Sequence, residues 1–162
     1  MKKTEPGPGQ ESVWDYPRPP KMEDSAKTVR IVFNSKEIVH SDRSKRVLET
    51  SHPPVYYIPQ EDIQMKYLQK ISGTTYCEWK GQAHYFDVVV GKQKAEKAAW
   101  CYPDLTEPFE SMAGYVAFYG HKMQGCYVGD EKVDAQKGGF YGGWITSNIV
   151  GPFKGKPGSA GW

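Results

Sequence analysis

Leucine and cysteine are both scarce in this chain, three of each among 162 residues, and no apolar run approaches the ~20 residues a membrane helix needs. In place of leucine the apolar surface comes from 13 valines, seven isoleucines and 22 aromatic residues. That bias favours strands and excludes a helix bundle. The opening Met1-Lys2-Lys3-Thr4-Glu5-Pro6 lacks the apolar stretch of a secretory leader, so the expected location is cytoplasmic, with no membrane partner. Excess charge of one sign is missing too. Twenty-one basic and 19 acidic residues leave a net charge of +2, and the one basic cluster, Arg43, Lys45 and Arg46, is too small for a phosphate-binding face. Nucleic acid is therefore not the expected partner.

Other absences narrow the chemistry. Cys77, Cys101 and Cys126 are odd in number and far apart, which suits reduced thiols better than a disulfide framework. With no Cys-x-x-Cys pair and no His-Glu-x-x-His, no set of four metal ligands has workable spacing. The glycine pairs at 138–139 and 142–143 are followed by no helical Lys-Ser or Lys-Thr, so neither a P-loop nor a dinucleotide fingerprint is present. No metal and no cofactor are expected.

A chain of this length buries roughly 68–70% of its unfolded surface, and its composition divides it in three. Residues 1–28 carry five of the 12 prolines and form an extended strap that docks through Trp14 and Tyr16. Residues 29–128 read as short strands separated by turns. Residues 129–162 are rich in glycine and aromatics, among them Phe140, Tyr141, Trp144 and Phe153, and should wrap the domain. Within the middle segment, Asn34-Ser35-Lys36-Glu37 closes a hairpin. Pro59-Gln60-Glu61-Asp62 starts a short helix with Ile63 and Tyr67 on its buried stripe, and the strands at 74–79, 82–90 and 95–102 form a meander. In its middle strand Ala83 and Tyr85 share one face, and His84, Phe86, Val88 and Val90 the other, so this strand is central. About eight strands and one or two short helices make an antiparallel two-sheet sandwich or open barrel.

Several polar residues in this frame could carry chemistry. Cys77 lies three residues from Lys80, whose ammonium would lower a thiol pKa if both faced one pocket. The Trp79-Lys80-Gly81-Gln82 turn frees Lys80 from strict strand alternation. Glu49 ends a strand and would need a cationic partner if buried. His52, beside Pro53-Pro54, reads as a turn residue. Tyr56-Tyr57 puts one phenol on each sheet face, and Trp79, Trp100 and Tyr102 read as core aromatics or as pocket walls that stack on a flat ligand.

The runs from Glu49-Thr50-Ser51-His52-Pro53-Pro54-Val55-Tyr56-Tyr57-Ile58-Pro59 through Thr75-Tyr76-Cys77-Glu78-Trp79-Lys80-Gly81 to Ala98-Ala99-Trp100-Cys101-Tyr102-Pro103 resemble the bacterial family called domain of unknown function 427. The flanking Val13-Trp14-Asp15-Tyr16-Pro17 and Gly142-Gly143-Trp144-Ile145 look like its longer, cyanobacterial-type members. The resemblance implies a β-tent-like (Mss4-like) sandwich of two antiparallel sheets. Zinc-ribbon relatives of that fold carry two Cys-x-x-Cys pairs that this sequence lacks, so their metal does not transfer. The family is sometimes labelled nucleotidyltransferase, yet no Asp-x-Asp element follows a glycine pair here. Glu78 and Trp79 depart from the Pro and Tyr common in the family.

Carried over position by position, the family's motifs bring Glu49, Tyr56, Cys77, Lys80 and Tyr85 together, with Trp100 and Tyr102 as walls. The expected function is a small-ligand-binding module for a planar polar molecule, in a pocket between the sheets where Lys80 and Glu49 pair. An enzyme using Cys77 or Lys80/Glu49 on a small or nucleotide-like substrate is the alternative, and a protein-interaction scaffold is the third reading. Catalytic residues and oligomeric state are not legible.

Overall fold

The computed structural model describes residues 2–77 and 80–162, with Cys77 by its backbone alone. Its N-terminal arm supplies β1 (Glu11–Ser12) and β2 (Lys21–Asp24), and the following residues supply β3 (Val29–Phe33), β4 (Lys36–Ser41), β5 (Lys45–Leu48) and β6 (Val55–Tyr57). A meander of longer strands comes next: β7 (Leu68–Cys77), β8 (Gly81–Val90) and β9 (Gln93–Cys101). β10 (Val116–Phe118) and β11 (Gly125–Val128) precede four two-residue strands, β12 (Glu131–Lys132), β13 (Asp134–Ala135), β14 (Trp144–Ile145) and β15 (Ile149–Val150). The chain is mainly β, 44% strand and 9% helical, in several small sheets that are antiparallel apart from the two-stranded β1-β15 pair and do not close into a barrel.

Two four-stranded sheets, ordered β10-β9-β8-β7 and β12-β11-β3-β4, share the main core. Val29, Ile31 and Ile38 meet Val88, Val116 and Phe118 there, all fully buried. The alternation along β8 is visible in the packing: Phe86, Val88 and Val90 enter this core, while Ala83 and Tyr85 turn to a second cluster with Tyr57, Trp100 and Met112. A three-stranded sheet, β2-β5-β6, covers that second face. It meets the larger sheet through one antiparallel bridge, Ile58 with Val116.

Local signals explain most boundaries. Asn34 and Ser35 adopt φ of 48° and 61°, a two-residue reversal that matches the twist of the flanking strands. The helix expected from Pro59 is instead two 3₁₀ turns, Gln60–Asp62 and Met65–Tyr67. Between them Ile63 is extended and bridges to Val39, because burying its side chain against that strand breaks the helix. Among the described residues, all five helical segments are single 3₁₀ turns. β7 starts at Leu68, six residues before the expected Thr74. Its pairing with β8 is interrupted between Lys70 and Thr74, where Gly73 takes φ 97°, and the bulge hides the alternation. Glu78 and Trp79, expected at the end of this strand, lie outside the described residues. Among the described residues no helix is long and apolar enough to cross a membrane.

The two arms meet. β1 pairs in parallel with β15, and the Trp14 indole donates to Pro152 O at 2.9 Å. On β5, Arg46 binds Glu11 of β1 and Glu23 of β2, fastening the N-terminal arm at a half-buried guanidinium. Both arms hold the loop at 49–54, which connects β5 to β6. Ser51 N donates to Val13 O, Thr50 N to Pro17 O, Lys154 N to Ser51 O and Trp144 N to Pro54 O, at 2.8 to 3.2 Å. Removal of residues 1–20 takes away buried Val13 and Tyr16, each worth about 1.5–3 kcal/mol. The truncated chain should melt on the order of 10 °C lower, at roughly 2–4 °C per kcal/mol for a chain of this size. An unchanged melting temperature would show the arm to be only appended.

Candidate functional site

A cleft of about 320 Å³ opens where β6 faces the ends of β7, β8 and β9. Five of the residues expected at a site line it: Glu49, Lys80, Tyr85, Trp100 and Tyr102. It does not lie between the two four-stranded sheets, whose shared interior is filled by the main core. Its floor is Trp100, which stands beside Tyr85 in the β8–β9 register. Tyr119 packs against the Trp100 ring with centroids 4.5 Å apart, and Tyr57 meets it edge-on at 6.3 Å. The Tyr85 hydroxyl is held by Thr75 Oγ1 at 2.6 Å. Burial pushes the Tyr119 phenol up to about 12, so it stays protonated and can donate a hydrogen bond.

Two expectations need correction. Tyr56 does not line the cleft: it is buried on the other face of β6, stacked on Trp144 at 5.3 Å and 20°. Alternation along β6 gives its place to Tyr57. Nor do Lys80 and Glu49 form an ion pair. The Lys80 ammonium lies 5.4 Å from the centre of the Tyr102 ring, so the cation is taken up by an aromatic face. The Cys77 side chain lies outside the described residues. Burial raises the pKa of the other two thiols, that of Cys126 to about 12, which leaves both as poor nucleophiles.

The C-terminal segment, expected only to wrap the domain, also supplies Gln136, Phe140, Tyr141 and Gly142 to the cleft. A Cβ at Gly142 would sit 2.1 Å from the Trp100 ring, and one at Gly143 only 2.5 Å from Pro53 O. Paired glycines therefore let this segment lie directly on the indole and on the 49–54 loop. A Gly-Gly step just before a tryptophan was the available signal.

His52 closes a turn, with its N–H on Glu49 O at 3.0 Å, and does more besides. It lines the cleft with its ring edge-on to Tyr141, and its Nδ1 is 3.1 Å from Gln136 Nε2. The Gln136 amide is oriented by two further bonds: Oε1 accepts from Gly143 N at 3.1 Å, and Nε2 donates to Lys154 O at 2.8 Å. Gln136 is thus the donor to His52 Nδ1, and the proton of the neutral ring sits on Nε2. Desolvation lowers the His52 pKa below 6.5, opposed by Glu49 and assisted by Lys154, Arg18 and Lys80.

Lys97 does not line the cleft but reaches the ring of Tyr85, which does. It adopts φ 50°, a conformation that costs a residue with a side chain about 1–3 kcal/mol. Its N–H donates to Asp87 Oδ1 at 2.8 Å, inside the irregular β8–β9 register around residues 86–88. The side chain is exposed, yet its ammonium lies 4.4 Å from the centre of the Tyr85 ring.

A mainly β domain of small antiparallel sheets, bearing an aromatic cleft with a few oriented polar groups, is the class that fold and site define. The family described as Domain of unknown function (DUF427) matches residues 21–129, and the chain belongs to that family. No curated protein matches it. Gln136 and residues 140–142 of the cleft lie beyond the matched segment.

Nitrogen NMR should find wild-type His52 as the Nε2–H tautomer with a pKa below 6.5. Because the folded value lies below the unfolded one, this ring withdraws stability as pH falls through 6.5. Gln136→Glu puts a carboxylate at Nδ1, which favours the imidazolium and should raise the pKa above 6.5. An Nδ1–H tautomer, or a pKa indifferent to the substitution, would contradict the assignment.

Proposed function

We propose that the protein binds a small planar polar molecule in this cleft. The observation that carries the reading is the combination of aromatic walls with a few fixed polar groups, the His52 Nε2–H foremost, in a space of about 320 Å³. Ligand sites fall in the range of roughly 300–1,000 Å³ and are built in this way. A flat ring would pack among Tyr119, Tyr102 and the uncovered part of Trp100 while its hydrogen-bonding edge met His52 and Glu49. The lips support the reading: Tyr76 and Phe140, 79% and 77% exposed, both line the cleft, where they are placed to close over a bound ring.

Titration of ¹⁵N-labelled protein with a panel of planar heteroaromatic fragments tests this. Binding should shift the Trp100 indole and the His52 ring together and leave Trp14 and Trp162 unmoved. Phe140→Ala, harmless to folding at so exposed a position, should weaken binding by about 0.5–1.5 kcal/mol, the worth of one aromatic contact. Fragments that never perturb Trp100 would overturn the proposal.

A further inference from the structure

Ammonium groups are unevenly placed around the cleft. Three of its tyrosines each carry one within cation–π reach: Lys97 at 4.4 Å from Tyr85, Lys80 at 5.4 Å from Tyr102 and Lys122 at 5.9 Å from Tyr119. Neither Lys80 nor Lys97 is paired with a carboxylate among the described residues, whereas Lys94 and Lys45 elsewhere are. Glu49 is the only carboxylate lining the cleft among those residues. Lys97 itself does not line the cleft; its backbone is left-handed, with its N–H on the Asp87 carboxylate, and its ammonium sits over Tyr85, which does line it.

Resting on the reading of this cleft as a ligand site, we propose that its ligand is an anion built on a flat aromatic ring system, the ring held on Trp100 and the negative group by the ammoniums of Lys80 and Lys97. A ring alone would need no cations around the tyrosines. A cationic ligand would compete with those ammoniums for the same aromatic faces and meet three like charges against one carboxylate. An anionic group beside the rings instead gains two charge-assisted hydrogen bonds, and the cations are already desolvated on one side by the rings beneath them.

A matched pair of probes, 2-naphthoate and its neutral isostere 2-naphthamide, separates the claims. With the full chain and tryptophan fluorescence as readout, naphthoate should bind about tenfold or more tightly than naphthamide, the equivalent of ~1.4 kcal/mol, and the advantage should shrink as salt is added. Lys80→Gln and Lys97→Gln should each reduce the preference and together erase it, Lys97→Arg should keep it, and Glu49→Gln should strengthen naphthoate binding. Circular dichroism melts confirm that each variant is folded. Equal binding of acid and amide, or a preference untouched by the double variant, overturns the anion claim and leaves the cleft as a ligand site. Binding of neither probe overturns both readings.

Discussion

The loop at 49–54 has no strand or helix of its own to satisfy its backbone, and the two arms of the chain do so instead. Ser51 is fully buried, with its N–H on Val13 O and its carbonyl on Lys154 N. Buried peptide groups without partners cost free energy comparable to a lost hydrogen bond each, so the loop can sit inside only while both arms are docked. One wall of the cleft follows from that constraint. The loop carries Glu49 and His52, and the C-terminal arm that braces it also delivers Gln136, which sets the His52 tautomer, and residues 140–142, which cross Trp100.

Trp144 anchors that arm. Among the described residues it is the largest of the fully buried side chains, stacked on Tyr56 with its indole N–H on Phe118 O at 3.1 Å, so one residue ties the arm to β6 and β10 together. Gly143 precedes it at a distance from Pro53 that admits no side chain. The N-terminal arm is fixed by a different force, the Arg46 guanidinium shared between Glu11 and Glu23. Since the family match spans 21–129, the loop and its aromatic floor belong to the shared domain, while most of the bracing lies outside it.

Much of the fold was legible because its determinants are local. The two faces of β8 alternate so clearly because each packs on a different core cluster, and Asn34-Ser35 carries its own reversal. The candidate cleft was legible in part: Glu49, Lys80, Tyr85, Trp100 and Tyr102 were placed together by motifs, and the structure sets them around one cleft. What could not be read depends on distant partners. Choosing Tyr57 over Tyr56 requires knowing that Trp144 takes the other face of β6. The role of His52 depends on Gln136, 84 residues away, and a Lys80–Glu49 pair was inferred from charge alone when an aromatic face was equally available to the cation.

The central claim, that the arms lock the 49–54 loop into the folded core, is tested most directly by native-state hydrogen exchange at the Ser51 amide. If Val13 O holds it as described, that amide exchanges only when the whole domain opens, at a free energy equal to that of the Val88 amide in β8. A Ser51 amide that exchanges through local opening, orders of magnitude faster than Val88 as in an ordinary surface loop, would contradict the account.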